Sequence, residues 1–137
     1  MKQPVTISAA VARHVVSRVF EEVWNGGLVK VLGEVLTADF AGHGVDGETF
    51  DADVLASRVR SRRQALPDLH YDVVRYVVEV PWVATMWSGQ GRPTDAEPGA
   101  EPVRLSGLTL WRLDGGRIGE AWALGFEGRQ GWEAPQV

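Results

Sequence analysis

The sequence contains no cysteine. That absence excludes disulfide bridges, thiol nucleophiles and Cys-ligated metals, and it leaves the redox compartment open. The apolar runs are far shorter than the roughly 20 residues of a membrane-spanning helix. The first residues also lack the basic segment, apolar core and small-residue cleavage site of a signal peptide. We therefore expect a soluble, cytoplasmic protein.

Positive charge is scarce as well. Fourteen Lys and Arg residues stand against 18 Asp and Glu residues, which gives a net charge of −4. Apart from the segment 58–63 the basic residues are scattered, so a nucleic-acid interface is not indicated. Metal-ligand spacings, phosphate-binding glycine loops and serine-nucleophile motifs are all missing. We predict a protein without metal or cofactor.

What the sequence does contain suits one folded domain. It has 137 residues, of which 45% are hydrophobic, and this is enough for one core. Apolar residues recur at helical spacing in three places in the first half of the chain. The predicted helices run from Thr6 or Ser8 to about Asn25, from Leu28 to Leu36, and from Asp51 or Asp53 to Ala65.

Strand patterns dominate the second half. Two runs flank the turn 114–116, where glycines supply the positive φ of a tight hairpin. A short extended segment, 37–43, is expected to bring Phe40 and His43 into the interior. The predicted strands are 37–43, 70–80, 82–90, 103–113 and 117–126, with loops at 44–48 and 91–102. Three helices followed mainly by strands predict an α+β fold, with helices on one side of an antiparallel sheet and a pocket beneath them.

The last strand shows a clear alternation of side-chain size. Ile118, Glu120, Trp122 and Leu124 share one parity, and the residues between them are only Gly and Ala. We expect the bulky parity to face the filled side of the sheet. On that assumption Glu120 is a carboxylate in an apolar environment. A single bulge would invert the assignment.

Several stretches resemble the SnoaL-like polyketide cyclases of the NTF2-like superfamily. The resemblance covers about residues 10–126, and its most specific part is the block RLDGGRIGEAW. It rests on Asn25, Phe40-x-x-His43, Leu66-Pro67-Asp68, the run 83–91, and Gly107-x-x-x-Trp111-Arg112-Leu113-Asp114-Gly115-Gly116-Arg117-Ile118-x-Glu120-x-Trp122.

The resemblance implies an NTF2-like cone in which a curved antiparallel sheet packs against three N-terminal helices around a deep apolar cavity. It also implies, usually, a homodimer formed through the sheet. It further implies a cofactor-independent cyclase or isomerase that acts by acid-base catalysis on a hydrophobic aromatic or polyketide-derived molecule of secondary metabolism. From length and composition we predict a single domain over 1–137, with a weakly ordered tail at 127–137.

One position departs from the family. The resemblance associates aldol cyclases with an Asp four residues beyond the Trp of E-x-W, and counting from Trp122 that position is Phe126. An apolar ring cannot transfer a proton. A non-catalytic small-molecule-binding protein, an epoxide-opening cyclase or hydrolase, and a domain used only for assembly therefore remain alternatives.

Three residues are candidates for acid-base catalysis. The imidazole of His43 can serve as an acid or a base, although a His bonded to loop backbone is the plainer interpretation. Glu120 beside Trp122 can act as a carboxyl with a raised pKa, or as a structural partner of a basic residue such as Arg75 or Arg104. Asp46 can orient His43 or merely form a turn.

Aromatic side chains are the candidates for substrate binding, with core packing as the alternative. Gln90 can hold a carbonyl or hydroxyl group, or lie on an exposed strand edge. Arg62 can reach an anionic ligand, although the basic segment 58–63 is more simply a solvated helix face. The aromatic candidates are Trp24, Phe40, Trp87, Trp111, Trp122 and Phe126.

Overall fold

The computed structural model describes residues 7–128, and side chains within residues 7–125. The tail predicted at 127–137 falls almost entirely outside these residues. The helices are α1 (Ala9–Arg18), a π-helical segment (Val19–Trp24), a 3-10 turn (Val29–Val31), α2 (Leu32–Val35) and α3 (Ala52–Ala65). None of these helices is long and apolar enough to cross a membrane.

The first helix begins and ends at polar signals in the sequence. Ser8 is its N-cap, and the Ser8 Oγ accepts a hydrogen bond of 3.1 Å from the amide of Val11. At the other end the Asn25 amide donates to the Phe20 carbonyl, five residues back, at 2.9 Å. This wider turn is the π-helical segment, a feature often found at functional sites. The predicted extent of this helix is confirmed.

The second helix is much shorter than predicted. Only a 3-10 turn and the four residues of α2 are helical, and the chain is extended from Leu36 onward. Gly33 lies in this segment, and glycine has a poor helix propensity, which contributes to the short length. The third helix matches its prediction, because the Asp51 carboxylate accepts from the Val54 amide at 2.9 Å and α3 ends just before Pro67.

Within residues 7–128, six strands form one curved, open sheet in the order β2-β1-β6-β5-β4-β3. Neighbouring strands are antiparallel except β1 and β6, which run parallel. The α+β class is confirmed, with helices packed on one face. The strands are β1 (Leu36–His43), β2 (Thr49–Phe50), β3 (His70–Glu79), β4 (Trp82–Gly91), β5 (Val103–Asp114) and β6 (Arg117–Gly128).

Bulges break the strict alternation of strand faces. The β3 register shifts between Val73 and Arg75, and the β6 register shifts between Ile118 and Glu120. Because a bulge adds one unpaired residue, positions of equal parity on its two sides point to opposite faces. Ile118 is therefore fully buried in the core, whereas Glu120 lies on the other face.

Candidate functional site

A cavity of about 940 Å³ lies between the helices and the inner face of the sheet. Its size is within the range of small-molecule sites, which is roughly 300–1,000 Å³. The π-helical segment and α3 supply one wall, and strands β4, β5 and β6 supply the other. The loop that joins β1 to β2 contributes Gly44, Val45 and Glu48 to the lining.

Small residues on the inner face of the sheet leave room for the cavity. Ala121, Ala123 and Gly125 are the positions of β6 that line it. Next to them, the indole of Trp87 lies over Gly107, and a Cβ at Gly107 would collide with this ring and with the Leu124 carbonyl oxygen. The small parity of β6 therefore faces the cavity. The expectation that the bulky parity faces the filled side is wrong, because the bulge at Gly119 inverts the strand.

An aromatic wall runs along one side of the cavity. Tyr71 packs edge to face against Trp24 and against Trp87, with ring centroids 5.3 and 5.4 Å apart. Trp111 packs in the same manner against Phe20 at 5.9 Å. Four of the residues expected to bind substrate line the cavity. They are Trp24, Phe40, Trp87 and Trp111.

The two indole groups on the sheet are already hydrogen-bonded. Trp87 Nε1 donates to Thr109 Oγ1, and Trp111 Nε1 donates to Thr85 Oγ1, each at 3.0 Å. Thr85 in turn donates to the Thr109 carbonyl at 3.2 Å. Because these donors are satisfied within the protein, both rings present apolar surface to the cavity.

Tyr71 is a cavity residue that sequence reasoning missed. Asn25 fixes its backbone from both sides, since Asn25 Nδ2 donates to the Tyr71 carbonyl at 2.9 Å and the Tyr71 amide donates to Asn25 Oδ1 at 2.7 Å. Its hydroxyl has no hydrogen-bond partner among the described residues. Burial raises the pKa of Tyr71 to about 12, and the positive charge of Arg62 opposes this rise. The phenol is therefore a neutral donor at physiological pH.

Polar groups in the cavity belong mainly to α3 and to the β1–β2 loop. Arg58, Ser61 and Arg62 lie on the lining face of α3, and the Arg58 guanidinium sits 4.4 Å from the centre of the Phe50 ring. Glu48 is the one carboxylate among the lining residues within 7–125. Its Oε2 accepts from the Asp46 amide at 3.2 Å.

His43 and Glu120 are brought together, but on the sheet face opposite the cavity. His43 Nε2 and Glu120 Oε2 are 2.7 Å apart, and Arg112 Nη2 donates to Glu120 Oε1 at 3.4 Å. The His43 ring stacks on Trp122 with a centroid distance of 5.4 Å. In the β1–β6 register Ala41 and His43 pair with Glu120 and Trp122, so all four share this outer face.

The expected cavity position of His43, Glu120 and Trp122 is therefore wrong, and a catalytic role for His43 and Glu120 stays a prediction without support from this geometry. Asp46 is exposed, and no hydrogen bond between Asp46 and His43 occurs among the described residues. Gln90 is exposed and does not line the cavity. The side chain of Phe126 lies outside the described residues.

Residues 7–128 contain no group of three or more His, Asp or Glu side chains arranged to hold a metal ion. The charged groups of the cavity are one carboxylate and two guanidinium groups. With the Tyr71 phenol, they can donate hydrogen bonds, neutralise an anion and accept a proton. The arrangement suits an apolar ligand with a few oxygen atoms.

A model of the SnoaL-like polyketide cyclase family matches residues 14–125. None of the curated protein sequences matches the chain.

Solved structures with the same fold include three bacterial proteins. IdmH from Streptomyces antibioticus, a proposed polyketide cyclase, is 20% identical with a TM-score of 0.72, over 83% of this chain and 91% of that one. A proposed polyketide cyclase from Bacillus cereus is 18% identical with a TM-score of 0.74, over 93% and 89% of the two chains. AclR from Streptomyces galilaeus, a proposed hydroxylase, is 16% identical with a TM-score of 0.73, over 86% and 80%. These likenesses establish the NTF2-like cone fold.

Proposed function

Since the chain belongs to the SnoaL-like polyketide cyclase family, we propose that it binds a hydrophobic aromatic or polyketide-derived molecule in its cavity and closes a ring in it without a cofactor. The observation that carries this proposal is the Tyr71 phenol, a neutral donor without a partner among the described residues, set between Trp24 and Trp87. A ligand carbonyl placed against the aromatic wall would accept its hydrogen bond. The family's place in secondary metabolism supports this substrate class. We also propose that the protein acts in the cytoplasm.

The chemistry that fits these groups is an intramolecular aldol closure. Glu48 removes a proton from the carbon next to one ketone, and the resulting enolate carbon bonds to the carbon of a second carbonyl. Tyr71 polarises that second carbonyl and gives its proton to the new alkoxide, and the proton held by Glu48 returns to the phenolate through water.

Binding is tested with a matched pair of neutral probes. We expect 2-acetylnaphthalene to bind and to quench tryptophan fluorescence, and we expect Tyr71→Phe to weaken its binding about fivefold, the value of one neutral hydrogen bond. 2-Ethylnaphthalene has no carbonyl, so its affinity should stay the same in the variant. Equal weakening of both probes would mean that Tyr71 acts only through packing.

Turnover is tested with an aromatic substrate that carries a ketone and an activated methylene group. Chromatography measures the rate of ring closure. This rate should fall at least a hundredfold in Glu48→Gln, because a general base typically contributes that much. Asp46→Asn is the matched control in the same loop and should keep the wild-type rate. Unchanged turnover in Glu48→Gln would remove Glu48 from the mechanism.

A second function, binding without chemistry, is favoured by one observation. The lining residues within 7–125 include no histidine, and Glu48 is exposed. Under this alternative a ligand that co-purifies with the protein would be recovered unchanged after long incubation. A product of different mass or retention time would exclude it.

We further propose a homodimer formed through the outer face of the sheet. Large apolar side chains are exposed there, and the strand register makes Leu108 the neighbour of Leu124 and Leu110 the neighbour of Trp122. Such a contiguous patch on an open sheet is typical of an interface. Leu110→Glu should give monomers in sedimentation analysis. Leu28→Glu is the control, because Leu28 is also exposed but does not lie on the sheet, and it should leave the association unchanged.

A further inference from the structure

The two walls of the cavity differ in charge. The sheet wall is built from aromatic rings and small residues, whereas α3 presents arginines and serines. Arg58 and Arg62 are four residues apart, which places them one turn apart on the same face of the helix. Ser61 lies on that face too. The cavity is therefore an apolar space with a cationic side.

The two arginines have no carboxylate within 4 Å among the described residues. Glu48, the other charged residue of the lining, is not paired with either of them. Arg63 differs, since its Nη1 donates to the carbonyls of Trp24 and Asn25 at 2.8 and 2.9 Å and so joins α3 to the end of the π-helical segment. Arg60 is exposed and lies outside the cavity lining.

Arg62 is the better placed of the two for a bound anion. It is half-buried, whereas Arg58 is exposed. Arg62 and Tyr71 both line the cavity. A guanidinium group that has lost part of its water gains most from a planar anion such as a carboxylate, which can accept two parallel hydrogen bonds.

We infer that the ligand of this cavity is an amphipathic acid, with an apolar ring system against the tryptophans and a carboxylate held by Arg62 and Arg58. This inference rests on the proposed function, because it names the chemical class of the molecule that the cavity binds. The acid group would orient the ligand, and the carbonyl that Tyr71 contacts would then lie at a fixed distance from the carboxylate.

The test compares 2-naphthoate with methyl 2-naphthoate, which has the same rings without the charge. Wild-type protein at pH 7 should bind the acid about tenfold more tightly than the ester, the value of a charge-assisted hydrogen bond. Arg62→Met keeps much of the apolar stem and should remove this preference, while the affinity for the ester changes less than twofold. Arg58→Met should reduce the preference by a smaller factor, and Arg60→Met, on the same helix, should leave it intact.

The preference should also shrink when the salt concentration rises from 50 mM to 500 mM, since salt screens charge pairs near the surface. Equal binding of acid and ester by the wild type would overturn the inference, and so would equal loss of both in Arg62→Met. In both of these outcomes the wild-type protein still binds the ester, so the proposed cavity function stands. If neither naphthoate nor its ester binds, and 2-acetylnaphthalene also fails, the proposed function itself is overturned.

Discussion

Both faces of the sheet carry aromatic and ionisable side chains, but only the inner face borders the cavity described above. The outer face holds two of the residues predicted for acid-base catalysis, His43 and Glu120, which are bonded to each other, and the His43 ring stacks on Trp122. The inner face holds the Tyr71 phenol between two indoles, beside the cavity. Proximity of an acid and a base is therefore weak evidence of catalysis unless the pair also faces a space where a ligand fits.

The largest effect should come from disturbing the inner face at its tightest point. A Cβ at Gly107 meets the Trp87 ring and a backbone oxygen, so Gly107→Ala should lower the free energy of unfolding by about 3 kcal/mol through overpacking. Chemical denaturation measures this value. Gly116→Ala is the control, because nothing lies within 4 Å of its added methyl group. Equal stability of the two variants would show that Trp87 moves aside easily.

The next prediction concerns the boundary between the faces. Ala123 lines the cavity and the next residue, Leu124, is 47% exposed on the other side. Ala123→Leu should fill part of the cavity. In a fluorescence titration it should weaken the binding of 2-acetylnaphthalene at least tenfold, about 1.4 kcal/mol. Leu124→Ala should change this affinity less than twofold. The reverse order of effects would mean that the ligand binds on the outer face.

The sequence predicted the first and third helices and the hairpin well because their signals are local. Ser8 and Asp51 cap their helices by side-chain hydrogen bonds to amides three residues ahead, and Asp114 precedes the glycine turn. The aromatic cavity wall was also predictable in part, since Trp24, Trp87 and Trp111 came from the aromatic content and the family resemblance.

The site was harder to predict because one extra residue in a strand reverses the face to which every later side chain points. Glycine at position 119 was visible in the sequence and glycine favours bulges, but the register shift depends on the pairing of β6 with β5. Likewise the β3 bulge near Val74 places Tyr71 and Tyr76 on the helical side despite their opposite parity. Parity counted along an isolated strand cannot detect either shift.

The smallest effect on ligand binding is expected from the outer pair itself. His43→Ala and Glu120→Gln should change the affinity of 2-acetylnaphthalene less than twofold, because neither side chain lines the cavity. Both side chains are about 30% exposed, so a double-mutant cycle on unfolding should give a coupling energy of only about 1 kcal/mol. A tenfold loss of affinity in either variant would contradict the separation of the two faces, since a residue on the outer face would then act on the ligand. Unchanged affinity, together with slower ring closure in Glu48→Gln, would assign the chemistry to the inner face.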